Sequence, residues 1–191
     1  MKTDFPSNQL LTIDHSSEIL QRIQQGAVFA YPTEGVWGIG ASVQCLDAVT
    51  DILTLKQRPQ HKGLIVVCSD LEQLSDWLEP LDDDKKQQVL ATWPGPVTWV
   101  LPCKESVPEV IRGEHTSIAV RVSAHPLVQK LCKLAGPLIS TSANPAGEPS
   151  AMSAEQVQQY FPQQLGFIVE GELGGQQGPS EIRTLDGIVL R

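Results

Sequence analysis

Apolar positions along this chain switch between short runs and helical spacing. Ser16-Ser17-Glu18 reads as a helix start, with Ile19, Leu20 and Ile23 as its apolar face and Gly26 as its stop. Residues 27–31 (AVFAY) follow as a short apolar strand, and 32–40 (PTEGVWGIG) as a loop punctuated by three glycines. Leu46, Val49, Ile52, Leu53 and Leu55 recur at helical spacing and predict a helix over 46–55 with those side chains inside. Lys56-Gln57-Arg58 falls at its C-terminal end, where Pro59 discourages continuation. Residues 64–68 (LIVVC) are a continuous apolar run, as in a strand buried on both faces.

Helical stretches are expected near 71–78 and 83–93, with Pro94-Gly95-Pro96 breaking the second before a strand over 97–101. Residues 117–122 (SIAVRV) form another strand. Pro126 suits the first turn of a helix carrying Leu127, Val128, Leu131 and Leu134, which Gly136-Pro137 ends. A strand over 138–142 then delivers Asn144 into a loop. A last helix near 154–161 and strands near 167–169, 181–185 and 188–190 complete the chain. The Asp186-Gly187 turn reads as a hairpin, so the sheet should be mixed. Roughly seven or eight strands interleaved with five or six helices indicate an α/β fold.

Composition narrows the class. The 191 residues suit one domain spanning 1–191, with its core over about 16–190 and roughly 70% of the unfolded surface buried. A hydrophobic share of 41% and a charged share of 19% are globular values. No apolar run reaches the ~20 residues of a membrane helix. The start MKTDFPSNQL lacks a basic segment followed by an apolar one, so no secretory signal is expected. Cys45, Cys68, Cys103 and Cys132 show no C-x-x-C spacing, which argues against zinc or a redox pair. Cys68 and Cys132 lie in apolar patterns and read as buried thiols, and a cytoplasmic protein fits.

The net charge of −8 argues against nucleic acid, but its distribution weakens that argument. Seven acids fall between Asp70 and Asp84, whereas Lys56, Arg58, Lys62, Arg112, Arg121 and Arg183 lie in other segments. A locally positive surface is compatible with that pattern.

The candidate chemistry is split along the chain. Lys56 and Arg58 can cap the last carbonyls of their helix, as cations there commonly do. With Lys62 and Gly63 beside them they also suit a polyphosphate. Thr33 and Glu34 sit at the C-terminal end of a strand, where ligands of open α/β sheets bind; Pro32 also suits an ordinary turn there. Neither G-x-G-x-x-G nor G-x-x-x-x-G-K-[ST] is present. Ser140 and Ser142 point the same way from one strand and lead to Asn144, while Ser150 could add a hydroxyl to the same rim. Arg121, mid-strand between Val120 and Val122, needs a partner if buried: a structural ion pair or a ligand carboxylate. Ser180 and Arg183 follow glycine pairs that could close onto a site. His15, His61, His115 and His125 show no ligand spacing, and no Ser/His/Asp triad assembles.

At these residues the sequence resembles the YrdC/TsaC family of threonylcarbamoyl-AMP synthases. The resemblance rests on Y-P-T-E-G-V-W-G-I-G at 31–40, L-K-Q-R-P at 55–59, W-P-G-P-V-T at 93–98, S-I-A-V-R-V at 117–122, S-T-S-A-N at 140–144 and G-P-S-E-I-R at 178–183. It covers nearly the whole chain. It departs at 179–182, where many relatives read E-S-T-I and this chain reads P-S-E-I. The length looks like the short single-domain form, without the lid contacts of longer relatives.

The resemblance implies a single YrdC-like domain: a twisted mixed sheet with flanking helices and a large concave basic cavity. It implies that L-threonine, bicarbonate or CO2 and ATP give threonylcarbamoyl-AMP and pyrophosphate, with Mg2+ bridging the phosphates and no protein side chain assigned to the metal. A threonylcarbamoyl transferase complex would then modify tRNA next to the anticodon. It further implies ATP contacts from Lys56, Arg58, Ser117, Ser142, Asn144 and Ser150. Thr33, Arg121, Ser140 and Ser180 would line a threonine pocket, and Lys56 and Arg58 would act in catalysis. Two other readings compete. One is an RNA-binding module, for double-stranded RNA or ribosome maturation, that uses the basic cavity without catalysis; contact with tRNA or double-stranded RNA is compatible with either reading. The other is a carbamoyl-adenylate domain of hydrogenase maturation, whose zinc-finger and acylphosphatase segments are missing here.

Overall fold

The computed structural model describes residues 6–191; the expectation about a secretory signal lies, for residues 1–5, outside the described residues. The first half runs β1 (Gln9–Leu11), α1 (Ser16–Gln24), β2 (Phe29–Pro32), β3 (Trp37–Ser42), α2 (Leu46–Leu55), β4 (Ile65–Cys68) and α3 (Asp83–Leu90). The second runs β5 (Val97–Pro102), α4 (Glu109–Arg112), β6 (Ser117–Val122), α5 (Pro126–Ala135), β7 (Leu138–Ser142), α6 (Ala154–Tyr160), β8 (Phe167–Val169) and β9 (Glu181–Thr184). The strands form one sheet in the order β1-β8-β2-β3-β7-β4-β6-β5-β9. It is mixed: β1/β8, β2/β8, β4/β6 and β5/β9 are parallel, the remaining pairs antiparallel.

Strand alternation sorts the apolar residues into two layers. Phe29, Tyr31, Val67, Leu138 and Phe167 face one side and pack against Ile19 and Ile23 of α1 and Val128 and Leu131 of α5. The Phe29 and Phe167 rings stack there with centroids 4.8 Å apart. Ala30, Ile39, Val66, Val120 and Ile139 face the other side, under Val49 and Ile52 of α2, Val89 of α3, Ile111 of α4 and Val157 of α6. Burying each of the Val, Leu, Ile and Phe side chains among them contributes about 1.5–3 kcal/mol. The face that carries Val67 and Leu138 continues through Ala119, Arg121, Ser140 and Ser142, paired across β4, β6 and β7. There it lines a cavity rather than a core.

Several expectations are corrected. Residues 32–40 are not a loop. Thr33 N–H and Oγ1 both donate to Val36 O (3.1 and 2.7 Å), closing a tight connection, and β3 begins at Trp37. All three glycines there serve close packing: a Cβ on Gly35 would lie 2.0 Å from Gly178 O, one on Gly40 2.5 Å from Ile139 O, and one on Gly38 3.3 Å from Thr33 Cγ2. Leu46, expected inside, is exposed, and Ala48, Val49, Ile52 and Leu53 form the buried face of α2. The 71–78 stretch is helical only as a 3-10 turn over Leu71–Leu74, capped by Asp70, after which Leu78 bridges Cys103. The last 83–93 turns lie outside α3, which ends at Leu90.

Residues 188–190 form the return arm of a hairpin with one bridge, Arg183 to Val189, rather than a strand. Thr184 N–H to Ile188 O (2.9 Å) and Leu190 N–H to Ile182 O (2.8 Å) hold it. Sequence reading missed β1 and α4, each a single turn or three residues long. It also missed Arg22, which is buried and bonds Gly166 O at 3.0 Å and the Gln9 and Glu18 side chains, tying α1 to the sheet edge. Among the described residues no helix is long and apolar enough to cross a membrane.

Candidate functional site

A cavity of about 590 Å³ opens on the sheet face left by α1 and α5, within the size range of ligand sites. Nine of the ten residues singled out from the sequence line it: Thr33, Lys56, Arg58, Ser117, Arg121, Ser140, Ser142, Asn144 and Ser180. Ser150 does not; it is half-buried beside the rim, where Ala151 pairs with Trp37 and Ala143 through backbone bonds of 2.9 Å.

Lys56, at the end of α2, is locked to the end of β7. Its Nζ donates to Ser142 O at 2.7 Å, to Asn144 O, and to Asn144 Oδ1 at 3.1 Å. Ser142 Oγ also donates to Asn144 Oδ1 at 2.6 Å, while Asn144 Nδ2 is spent on Pro145 O and Glu148 O. The two sequence signatures, 86 residues apart, thus form one hydrogen-bonded unit. Burial, then the Arg58 charge, push the Lys56 ammonium down to about 8. The oxygens around Nζ favour the charged form against that pull. Arg58 grips Gly63 O through Nε (3.1 Å) and Nη2 (2.8 Å), which aims the guanidinium along the 60–63 turn. Gly63 has φ +63°, and a Cβ there would lie 2.9 Å from Arg112 O.

The deepest hydroxyls and Arg121 are almost fully buried. Arg121 Nη2 lies 3.6 Å from Glu34 Oε2, and its Nε has no hydrogen-bond partner. Burial acts to raise the Glu34 pKa, but the Arg121 charge and the Ser123 and backbone hydrogen bonds outweigh it and hold the carboxyl below its usual range. Thr33 Oγ1 spends its proton on Val36 O, so toward the cavity it can only accept. Ser180 Oγ pairs with Thr98 Oγ1 at 3.0 Å. Ser180 is delivered by a glycine-rich segment pinned on residues 33–34: Gly174 N–H to Thr33 O (3.0 Å) and Gln176 N–H to Glu34 O (2.9 Å).

The sequence shows no sign of Arg191, and it places Glu34 at a ligand-binding strand end without its partner Arg121. Arg191 lines the cavity and bonds Ser180 O at 3.1 and 3.3 Å, with its pKa pushed down by burial, then by Arg121 and Arg58. No local pattern marks it, because the hairpin alone carries it there. Glu34 stood in a motif but had no visible partner in sequence. Arg183, counted among the cations of a positive surface, instead pairs with Glu181 and lies over the Trp99 ring.

Among the described residues the lining holds six cations (Lys56, Arg58, Lys62, Arg112, Arg121, Arg191) and no Asp or Glu side chain, in a chain of net charge −8. Such a cavity selects a polyanion. Its donors do not suit a divalent ion held by the protein, which prefers carboxylate oxygens. Among the described residues no cluster of three or more His, Cys, Asp or Glu side chains could hold a metal.

The Sua5/YciO/YrdC family model, described as "Telomere recombination", matches residues 21–191. The chain belongs to this family. Among its Sua5/YciO/YrdC relatives, a threonylcarbamoyl-AMP synthase of Stutzerimonas stutzeri is 49% identical over 91% of this chain and 95% of its own length. A threonylcarbamoyl-AMP synthase of Pseudomonas aeruginosa is 52% identical over 88% of this chain and 92% of its own. The crystal structure of P. abyssi Sua5 complexed with L-threonine superposes with a TM-score of 0.86 at 33% identity. The match covers 97% of this chain but 56% of that one, so the present chain spans little more than half of that longer protein.

Proposed function

We propose that this protein is a threonylcarbamoyl-AMP synthase, converting L-threonine, bicarbonate or CO2 and ATP to threonylcarbamoyl-AMP and pyrophosphate. The observation that carries the reading is the cavity: cations without a carboxylate at the nucleotide end, and a buried arginine among hydroxyls at the other. The family and the synthase names of relatives about half identical support it.

In this reading Lys56 and Arg58 hold the phosphates, with Ser117, Ser142 and Asn144 on the rest of the nucleotide and Ser150 closing from the rim. Arg121 clamps the threonine carboxylate, and Thr33, Ser140 and Ser180 meet its amine and hydroxyl. The neutral amine adds to CO2, the C–N bond forming as a C=O electron pair moves onto oxygen, and its proton passes to solvent water. The resulting carbamate oxygen then attacks the α-phosphorus in line, forming one P–O bond as the bond to pyrophosphate breaks. No protein nucleophile is required, and rate enhancement comes from positioning and charge neutralisation. Mg2+ enters with the ATP phosphates as part of the substrate. Residues 1–191 act as one cytoplasmic domain, and the product passes to a transferase complex that modifies tRNA. The sheltered pocket and enzyme-named relatives favour catalysis over a purely RNA-binding role.

Pyrophosphate release from ATP and bicarbonate, with L-threonine against L-valine, tests this. Threonine-dependent release with a threonylcarbamoyl adenylate in the mass spectrum is expected. Valine lacks the hydroxyl and leaves the pocket's polar groups unpaired, so it should be rejected strongly. Equal release with either amino acid, or none, would sink the proposal.

A further inference from the structure

The buried pair of Glu34 and Arg121 is asymmetric. Glu34 is 7% exposed and Arg121 6%, yet only Arg121 lines the cavity. Glu34 Oε1 accepts from the Ser123 hydroxyl at 2.7 Å and from the Ala124 N–H at 3.1 Å. Its Oε2 faces Arg121 Nη2 at 3.6 Å, an ion pair too long for a hydrogen bond. Neither Oε2 nor Arg121 Nε has a hydrogen-bond partner.

Those distances separate two jobs a carboxylate can do for a guanidinium. A bidentate pair at hydrogen-bond distance would consume the fork's donors and leave none for a ligand. A guanidinium buried without any anion would be strongly disfavoured and free to turn. Glu34 does neither. Two donors from the segment just after Arg121 hold one of its oxygens, which stops the carboxylate from swinging onto the fork. The remaining oxygen supplies charge from behind. The same residue reaches the third wall of the pocket: Glu34 O accepts from Gln176 N–H at 2.9 Å, in the segment leading to Ser180. A Cβ on Gly174 would lie 3.0 Å from the Glu34 Cα, so the two strands of chain pack in contact.

We infer that Glu34 is a positioning residue for the amino-acid substrate. Tethered by Ser123 and the Ala124 amide, it orients Arg121 and balances its charge while leaving the donors of the fork to the substrate carboxylate. This rests on the placement of the threonine carboxylate at Arg121 proposed above. Once that second carboxylate arrives, Arg191 and Arg58 supply the compensating charge; burial, then the Arg121 and Arg58 charges, push the Arg191 pKa down, which places all three in one field. Glu34 therefore governs amino-acid affinity and not nucleotide affinity.

Glu34→Gln tests this, because the amide oxygen can still accept from Ser123 and Ala124 while the charge is gone. Steady-state kinetics should show KM for L-threonine raised about tenfold or more, the loss of one charge-assisted orientation, with KM for ATP within about twofold of wild type. The circular dichroism spectrum should stay close to wild type, while the melting temperature of the ligand-free protein falls because Arg121 is left buried without its anion. An unchanged threonine KM would overturn the inference. So would both KM values rising together, since that marks a merely structural role. Should Glu34→Gln fail to fold, Ser123→Ala decides. It frees the carboxylate to turn onto Arg121, so threonine KM rises with ATP KM unchanged, and no rise overturns the inference. Wild-type protein without threonine-dependent pyrophosphate release would defeat the proposed function itself. A threonine-dependent wild type with an unaltered Glu34→Gln variant defeats only the role of Glu34.

Discussion

At the residue scale, Lys56 sits between two demands. Its ammonium organises the Ser142–Asn144 turn through three oxygens, and the same charge is proposed to meet the ATP phosphates. Lys56→Ala should lower threonine-dependent pyrophosphate release at least about 100-fold, as loss of a charged contact to a reacting phosphoryl group does. It should also cost about 1 kcal/mol of stability by leaving half-buried carbonyls unpaired, read as a melting shift of a few degrees with the circular dichroism spectrum retained. Near-wild-type turnover would remove Lys56 from the reaction. A pH effect follows from the same environment. Burial and Arg58 bring the ammonium down to about 8, so the free enzyme loses this charge as pH rises through that value. Bound phosphate favours the charged form. KM for ATP should therefore climb above about pH 8 while kcat at saturating ATP changes less, and a KM for ATP flat across that range would contradict the assignment.

At the scale of elements, the site is made by three connections rather than by any one motif. The 33–36 turn and the 174–180 segment are pinned together by backbone bonds, and Ala143 N–H to Trp37 O ties the 142–144 turn to the start of β3. Gly35 is the tightest point: a Cβ there would fall 2.0 Å from Gly178 O. Gly35→Ala must push the glycine-rich segment, and with it Ser180, away from the pocket. Overpacking of this kind costs about 1–3 kcal/mol, or roughly 2–4 °C of melting temperature per kcal/mol in a chain of this size. The expected result is a lower melting temperature together with a raised KM for L-threonine, measured by calorimetry and steady-state kinetics. Gly147→Ala meets no atom within 4 Å and carries only the strain of φ +86°, so it should be the milder change. Equal effects of the two would refute the packing argument.

At the scale of the molecule, an acidic protein turns six cations into one cavity and keeps the buried Glu34 out of its lining. Arg191, Arg121 and Arg58 repel one another there until an anion arrives. A polyanion should consequently stabilise the fold: ATP or pyrophosphate at about 100 times its Kd adds about 2.7 kcal/mol by mass action. The melting temperature should rise by several degrees with ATP and hardly at all with adenosine. The shift should shrink as salt is raised toward about 1 M, where the screening length falls to ~3 Å. Equal shifts with adenosine would mean that the cations do not hold the phosphates.

Local patterns determined the elements with the clearest period. The apolar runs at 64–68 and 117–122, the helix with Pro126 at its first turn, and the hairpin at Asp186-Gly187 were all legible, because burial imposes its period on the sequence. So were the polar residues of the cavity, since hydroxyls, an amide and cations at strand and helix ends have few purely local uses. β3 was not legible: Gly38 and Gly40 read as breaks when each instead makes room for a neighbouring strand or side chain. Arg22 has no local sequence signal of burial, and it is buried because partners at Gln9, Glu18 and Gly166 satisfy its fork. Only the tertiary structure decided that Glu34 stands behind Arg121, that Arg191 reaches the cavity, that Arg183 does not, and that Ser150 stays at the rim. Each of these depends on which strands become neighbours in the sheet order, and pairing between distant segments leaves no period in the chain to read.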